Sequence, residues 1–297
     1  MSVKNILKQC RLCRSDKINL LLEREDISIF KCLDCGIVFL GNEMDDASMK
    51  GLYRYYGQDT FTDSLSPVTR LRYERLLDIF DRYRKNNAII DVGCGAGHFM
   101  LSASERGWRA DGTEISDEAI ELSVKKEQKV IRGDIASLVI EKHRYDIATL
   151  FELMEHASDP EGIVKKIAYI VRPGGLVYIT TPNYNSIARI LLGRRWGIFH
   201  KEHIFYFTAE NLMSLLNKYN FKIKKIRTEN LSLREFLSIL RYPVPLNAAD
   251  VRKKQETLRG LAENSVFFSV LKRLVNYILN IFKAGDTIYI FAEAYDK

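Results

Sequence analysis

Three groups of residues in this 297-residue chain have types and spacings suited to chemistry. The first is Ile89-Ile90-Asp91-Val92-Gly93-Cys94-Gly95-Ala96-Gly97-His98-Phe99. An apolar run ends in an acid and then in three alternate glycines. Glycines let a backbone approach a ligand closely, and the helix that starts here offers free N–H groups. A dinucleotide turn wants G-x-G-x-x-G, the third glycine packing helix on strand. Here the pattern is G-x-G-x-G, and Asp91 precedes it where a pyrophosphate would be repelled and a cationic ligand held. The second group is Cys10-x2-Cys13 followed, after eighteen residues, by Cys32-x2-Cys35. Two such pairs read as a four-thiolate zinc site, structural because four protein ligands leave no open position. Two disulfides are the other option, and nothing like a secretory leader favours them. The third group is the five histidines His98, His143, His156, His200 and His203, since imidazole is the side chain suited to proton transfer near neutral pH.

These residues need elements to hold them. Ser66-Pro67 starts a helix with Ser as N-cap and Pro at its first position, its apolar face carrying Leu71, Tyr73, Leu76, Leu77, Phe80 and Tyr83. From residue 88 strands and helices alternate, which predicts a doubly wound parallel sheet. Expected strands are Ala88 to Val92, Arg109 to Glu114, Lys129 to Arg132, Tyr145 to Phe151 and Leu176 to Thr181. A helix capped by Ser116 is expected to run to about Glu127, another from Asp159-Pro160 to Val171, and Arg172-Pro173-Gly174-Gly175 to form a turn. Thr208 caps a helix from Ala209 to Tyr219, a sixth strand covers Phe221 to Thr228, and Thr287 to Ala294 forms the last. Ligands of such sheets bind at the carboxyl ends of the strands, where Asp91, Glu114 and Asp134 all fall. Each acid alone is as often a helix cap; three in register are a site.

The D-x-G-x-G-x-G turn with this succession, over roughly residues 66 to 230, resembles the class I S-adenosylmethionine (SAM) dependent methyltransferases. The resemblance implies an α/β, mostly parallel, seven-stranded Rossmann-like sheet with the last strand antiparallel. It implies that Asp91, Gly93, Gly95 and Gly97 hold the methionine end of SAM, and that Glu114 accepts hydrogen bonds from the ribose hydroxyls. Asp134 would bind the adenine amino group with Ile135 against the ring, and Phe151 and Glu152 would line the cofactor near its methyl group. The H-I-x-x-F-T wording from His203 to Thr208 resembles the branch of quinone-biosynthesis O-methyltransferases and surface-sugar enzymes. Methyl transfer needs alignment and, for a hydroxyl or carbon acid, a base. His98 lies in the cofactor turn and His143 in a polar loop, so His203 and then His156 are the expected bases. His203 is equally readable as a histidine hydrogen-bonded at a helix entrance. A cysteine module beside such a core also resembles the sugar C-methyltransferases, whose further large domain has no counterpart in these residues.

The expected organisation is a zinc-ribbon-like module (1–45), a linker and first helix (46–87), the SAM-binding core (88–230), a helical insertion (231–283) and the last strand (284–297). The linker carries Tyr53, Tyr55 and Tyr56. The insertion is broken at Arg241-Tyr242-Pro243-Val244-Pro245 and holds much of the +7 net charge, including Arg252, Lys253, Lys254 and Arg259. Residues 266–282 repeat apolar side chains at helical spacing: Phe267, Val270, Leu271, Leu274, Val275, Ile278 and Phe282. The commoner use of such a stripe is packing on protein as a lid or dimer helix, which is the expectation. Basic residues beside it also suit peripheral contact with a membrane surface. Met1 to Gln9 has no long apolar core and no run reaches the ~18 residues of a spanning helix, so a cytoplasmic location is expected, with the inner membrane face as the place of any such contact. The expected acceptor is a small or lipid-linked metabolite. Two readings compete: a non-catalytic SAM-fold binding module, and an RNA methyltransferase. The cysteine segment lacks the dense basic and aromatic face of nucleic-acid binders.

Overall fold

The computed structural model describes residues 6–24, 26–43, 65–230 and 266–296, with side chains of 266–273 excepted. The tyrosine-rich linker, the break at 241–245 and the basic residues Arg252, Lys253, Lys254 and Arg259 lie outside the described residues. So do the side chains of Phe267, Val270, Leu271, Lys272 and Arg273.

Strands β1 (Ile18–Glu23), β2 (Ser28–Cys32) and β3 (Val38–Leu40) form an antiparallel meander over the cysteines. Helix α1 (Pro67–Phe80) starts as its sequence dictates, the Ser66 side chain accepting from the Thr69 amide. Then follow β4 (Ala88–Val92), α2 (His98–Glu105), β5 (Arg109–Glu114), α3 (Asp117–Val124), β6 (Lys129–Arg132), β7 (Tyr145–Phe151), α4 (Pro160–Ile170), β8 (Val171–Pro182) and α5 (Ile187–Leu192). The chain continues through β9 (Phe205–Tyr206), α6 (Ala209–Lys218), β10 (Phe221–Glu229), α7 (Val266–Ile281) and β11 (Thr287–Ala294). The main sheet has seven strands in the order β10-β11-β8-β7-β4-β5-β6. Strands β4 to β8 run parallel, and β11 is antiparallel to both β8 and β10. Successive strand residues serve opposite faces: Ile89 and Ile147 pack with Leu77, Phe80 and Phe99, whereas Ile90 and Ala148 pack with Ile163 and Ile167. That is the period-two consequence of the pleat, and both faces being covered explains the continuous apolar runs.

Several expectations need correction. Arg172 to Gly175 is not a turn before the fifth strand but a bulge within it. Val171 pairs with Tyr145 and Leu176 with Ile147, and Gly174 takes φ 71°. Helix α3 stops at Val124 rather than Glu127, which itself adopts φ 59°. Leu71 on α1 is exposed. In α7, Leu274, Ile278 and Phe282 of the apolar stripe face outward among the described residues, with Leu279 buried instead. The polar side does the packing. Asn280 Oδ1 accepts from the Thr228 amide at 3.0 Å, Asn276 Oδ1 accepts from the Asn230 amide at 3.1 Å, and Thr228 Oγ1 donates to Leu279 O at 3.1 Å.

Candidate functional site

The strand order reverses at β4, so the carboxyl ends of β4 and β7 are where a sheet of this kind offers its ligand crevice. Asp91 is the penultimate residue of β4, 3% exposed, with Thr149 Oγ1 of β7 donating to its Oδ1 at 2.7 Å. Burial pushes the Asp91 carboxyl up to about 7, the Thr149 bond partly offsetting this and Glu114 adding to it. A buried carboxylate of this kind ionises fully when a cation arrives. Gly93 takes φ 70°, a conformation that strains any side chain, and a Cβ there would lie 2.9 Å from Leu153 Cδ1. Gly97 starts α2 at φ 74°, where a Cβ would meet Ser123 Oγ at 2.2 Å. Glu114 is half-buried and already occupied by backbone. Its Oε2 accepts from the Gly95 amide at 3.0 Å, and Oε1 from the Ile115 and Ser116 amides at 2.7 and 2.9 Å. It therefore ties the glycine turn to the end of β5. Asp134 is exposed and accepts from the Ala136 amide at 3.0 Å, whereas the Ile135 side chain is buried in the main core. Phe151 is half-buried, its ring 5.1 Å from Phe99 and 5.6 Å from Tyr73 of α1. Glu152 follows in a left-handed conformation, φ 47°, its amide donating to Thr180 O at 3.0 Å.

One turn beyond, the chain buries a second cluster. Glu155, His156 and His203 are 2%, 9% and 6% exposed, and their ligand-capable atoms all lie within 4.8 Å of one another. Thr181 Oγ1 donates to Glu155 Oε2 at 2.8 Å. Each imidazole has Nδ1 beside a backbone carbonyl: His156 with Glu202 O at 2.8 Å, His203 with Ile198 O at 3.1 Å. A carbonyl only accepts, so Nδ1 carries the proton and the lone pair sits on Nε2. Burial, then the nearby His200 and His156, holds His203 far below the usual imidazole range, and burial lowers His156 as well. Burial next to Glu152 raises the Glu155 carboxyl well above its ordinary value. The cluster thus presents neutral imidazoles, able to accept a proton or to ligate a cation. Aromatic rings close its far side, Trp196, Phe199 and Tyr206 lying 5.1 Å apart in successive pairs except for Trp196 and Tyr206, at 6.3 Å.

Cys10, Cys13, Cys32 and Cys35 also bring their sulfurs within 4.8 Å of one another, none in a disulfide. The Cys35 amide points at Cys32 Sγ at 3.4 Å, the knuckle geometry a C-x2-C pair predicts. Gly36, at φ 72°, makes the turn that follows. Cys94, by contrast, is a buried packing residue against Gly112.

The family model for the methyltransferase domain matches residues 68–226, more than half of the chain. The chain belongs to the methyltransferase domain family. Among curated relatives, a ubiquinone biosynthesis O-methyltransferase of Nitrosospira multiformis is 29% identical over 142 residues, 45% of this chain and 58% of that protein. One of Aeromonas salmonicida is 31% identical over 111 residues, 35% of this chain and 47% of that protein. The chain spans about half the length of the curated relatives it matches. Among solved structures, a SAM-dependent methyltransferase from Archaeoglobus fulgidus aligns with a TM-score of 0.54 at 15% identity, covering 80% of this chain and 97% of that one. The [4+2]-cyclase SpnF aligns at 0.50 and 18%, covering 75% and 81%. At these identities the likeness is one of fold alone, and a cyclase shares it.

Within this methyltransferase domain the residues singled out from sequence fall into two neighbourhoods. Asp91, Gly93, Gly95, Gly97 and Glu114 meet at the β4–β5 strand ends, Asp134 lies at the end of β6, and Phe151 and Glu152 stand at the end of β7. His156 and His203 come together, their rings 4.7 Å apart. His98 starts α2, and His143 sits in a loop at the opposite end of β7. Sequence reasoning missed Tyr73, Thr149, Glu155 and Thr181 as site residues. Glu155 was findable, standing three residues after Glu152 and one before His156 on the turn that leaves β7. Thr149 and Thr181 look like ordinary strand residues, and only the sheet order aims them at carboxylates.

Proposed function

We propose that the protein is a SAM-dependent methyltransferase acting on the hydroxyl of a small or lipid-linked acceptor, such as a sugar-pathway or quinone-type intermediate. The observation that carries the reading is the pairing of a cation-seeking crevice at Asp91 with a buried Glu155–His156–His203 cluster one turn beyond it. The relatives' activity, ubiquinone biosynthesis O-methyltransferase, supports an oxygen acceptor. SAM supplies a methyl group on a sulfonium that leaves as a neutral thioether, so no acid is required at the leaving side. Asp91, steadied by Thr149, would take the ammonium of the methionine end; Glu114 and Asp134 would take the ribose and adenine. His203 Nε2 would receive the acceptor's proton, and an ionised Glu155 beside it would balance the resulting charge. In the Glu114→Ala variant, SAM affinity should fall about tenfold to a hundredfold, since charge-assisted hydrogen bonds of ~1.5–3 kcal/mol are lost and the Gly95 amide is freed. Titration calorimetry checks this, and an unchanged affinity in a folded variant would remove Glu114 from the site. A non-catalytic SAM-binding module, or an RNA methyltransferase, would bind SAM equally well. Labelled methyl transfer to small hydroxylated acceptors but not to RNA separates all three.

A second reading of the His–Glu cluster is favoured by its donor set. Two imidazole Nε2 lone pairs and a carboxylate within 4.8 Å suit a divalent cation that would polarise the acceptor oxygen. Metal counting distinguishes the two. The four cysteines are proposed to hold one structural zinc, so the general-base reading expects one metal per chain and the cation reading two, the second lost in Glu155→Gln. Acid or chelator should release the zinc, because thiolates must be deprotonated to bind it. Protein prepared under reducing, metal-replete conditions that contains no metal would refute the cysteine site.

No helix of the described residues is long and apolar enough to cross a membrane. Peripheral contact is another matter. The outward stripe of α7 ends near the start of α5, whose Ile190 and Leu191 are also exposed; the Ile187 amide donates at 2.9 Å to the carbonyl of Ala284, three residues past α7. We place the membrane surface against this face, with Arg195 on the turn that follows α5 as the nearest cation. Sedimentation with anionic vesicles should show salt-sensitive binding that Ile278→Asp with Phe282→Asp abolishes. Absence of binding at low salt would end the idea.

A further inference from the structure

We infer that the cysteine module is the positioning element of the acceptor-side histidine: β3, Arg24 and the contact of Cys35 with Asn211 hold the segment that carries His203 against Glu155. This rests on the methyltransferase reading for its catalytic meaning, but not for its geometry.

The segment leaves β8 at Pro182 and returns to α6 at Ala209, with only the short α5, one 3-10 turn and the two residues of β9 as regular structure. A two-residue strand cannot hold its own place. On one side β9 is fixed to the core, the Ile204 and Phe205 amides both donating to Glu155 O at 2.7 and 3.0 Å. On the other it is the fourth strand of the module's sheet, in the order β1-β2-β3-β9. Val38 pairs with Tyr206 and Phe39 with Phe205, and the Leu40 amide donates to Ile204 O at 2.9 Å. Residues 204 and 205 are therefore clamped between the Glu155 carbonyl and β3, immediately after His203.

Two side-chain ties reinforce the clamp. Arg24 donates to Phe199 O at 3.3 Å and to Arg194 O, holding the stretch that supplies the Ile198 carbonyl to His203. Asn211 Nδ2 donates to Cys35 O at 3.0 Å, while its Oδ1 completes the capping box of α6 with Thr208. The cysteine knuckle thus reaches α6 directly and β9 through the β2–β3 hairpin. The crevice acids Asp91 and Glu114 belong to the other sheet, so the module touches one half of the site only. Misplacement of a reacting group by about 1 Å can cost 10²-fold in rate, which makes such a clamp consequential.

The test uses the full chain carrying Arg24→Ala and Asn211→Asp, the latter keeping the capping oxygen and losing the donor. Three quantities are read: amide hydrogen exchange at Ile204 and Phe205, carbethoxylation of His203 by diethyl pyrocarbonate by peptide mass spectrometry, and SAM affinity by calorimetry. Exchange at the two amides should quicken about tenfold or more relative to β4 and β7. His203, buried in the parent, should become reactive, and SAM affinity should stay within about twofold because no crevice acid is disturbed. Unchanged exchange and an unreactive His203 would overturn the inference. Arg24→Ala alone, which removes its bonds to the Phe199 and Arg194 carbonyls, is read the same way should the double variant misfold. If the methyltransferase reading were itself wrong, the parent protein would not bind SAM, while the exchange and labelling results would stand unaffected.

Discussion

His203→Ala is expected to lower turnover on the true acceptor by ~10²–10⁴-fold, the range for losing a general base. SAM affinity should hardly change, because His203 sits with Glu155 and His156 rather than with Asp91 and Glu114. The split between kcat and SAM binding is what assigns the role. A structural histidine bonded to Ile198 O would, on removal, lower stability with kcat preserved in the folded fraction. The pH dependence adds a second check. Burial and its histidine neighbours hold His203 far below the free imidazole range, so it remains neutral well below pH 6.5. Turnover should therefore persist below that pH instead of falling with a midpoint there. Stability behaves oppositely. In the unfolded chain His156 and His203 take up protons near pH 6.5, whereas in the fold they do not, so their contribution is complete above that pH and is lost as pH falls. Near-wild-type turnover of His203→Ala would make the residue structural and pass the role to His156.

Asp146→Ala should cost about 3–5 kcal/mol of stability, the penalty for stranding a buried partner charge. Asp146 is fully buried at the start of β7. It accepts from Arg172 Nε at 2.5 Å and from the Lys85 and Asn86 amides at 3.0 and 2.8 Å, and Arg172 is only 14% exposed. One carboxylate thus joins the bulge of β8 to the loop that delivers the chain into β4. Burial alone would raise Asp146, but the Asn86 and Lys85 amides and Arg172 more than offset it and hold the carboxyl below its usual range. The contribution is therefore present above the unfolded carboxylate value near 3.9 and lost as pH falls through the folded one. Calorimetric unfolding should show the melting temperature lowered by about 6–20 °C for a domain of this size. A change below ~1 kcal/mol would mean that the Arg172 guanidinium finds water on its own.

The legibility of this fold followed the range of the interactions concerned. Strand β4, buried on both faces, has no polar interruption but Asp91, and its bounds were readable to the residue. The caps Ser66, Ser116, Asp159 and Thr208 act on amides three residues away, within the reach of local sequence. Strands β3 and β9 were not readable: their pairing spans more than 160 residues, and neither is long enough to show a period. Arg172-Pro173-Gly174-Gly175 carries turn residues, yet the bonds of Arg172 to Asp146 and Tyr83 O keep it within the β8 run. In α7 the apolar stripe was visible but its direction was not, because the deciding partners, Asn276 and Asn280, look like the solvent face until β10 lies beside them. The site divided the same way. The crevice acids announced themselves by following strands, whereas Glu114's hold on the Gly95 amide and Thr149's hold on Asp91 depend on neighbouring strands alone.

The most direct measurement of the central claim is titration of the purified chain with SAM by calorimetry, repeated near pH 7 in buffers of different ionisation heat. One SAM per chain is expected, with heats that vary between buffers, because a carboxyl raised to about 7 by burial gives up its proton when a cation binds at Asp91. No affinity for SAM in folded protein, alongside tight binding of NAD, would contradict it.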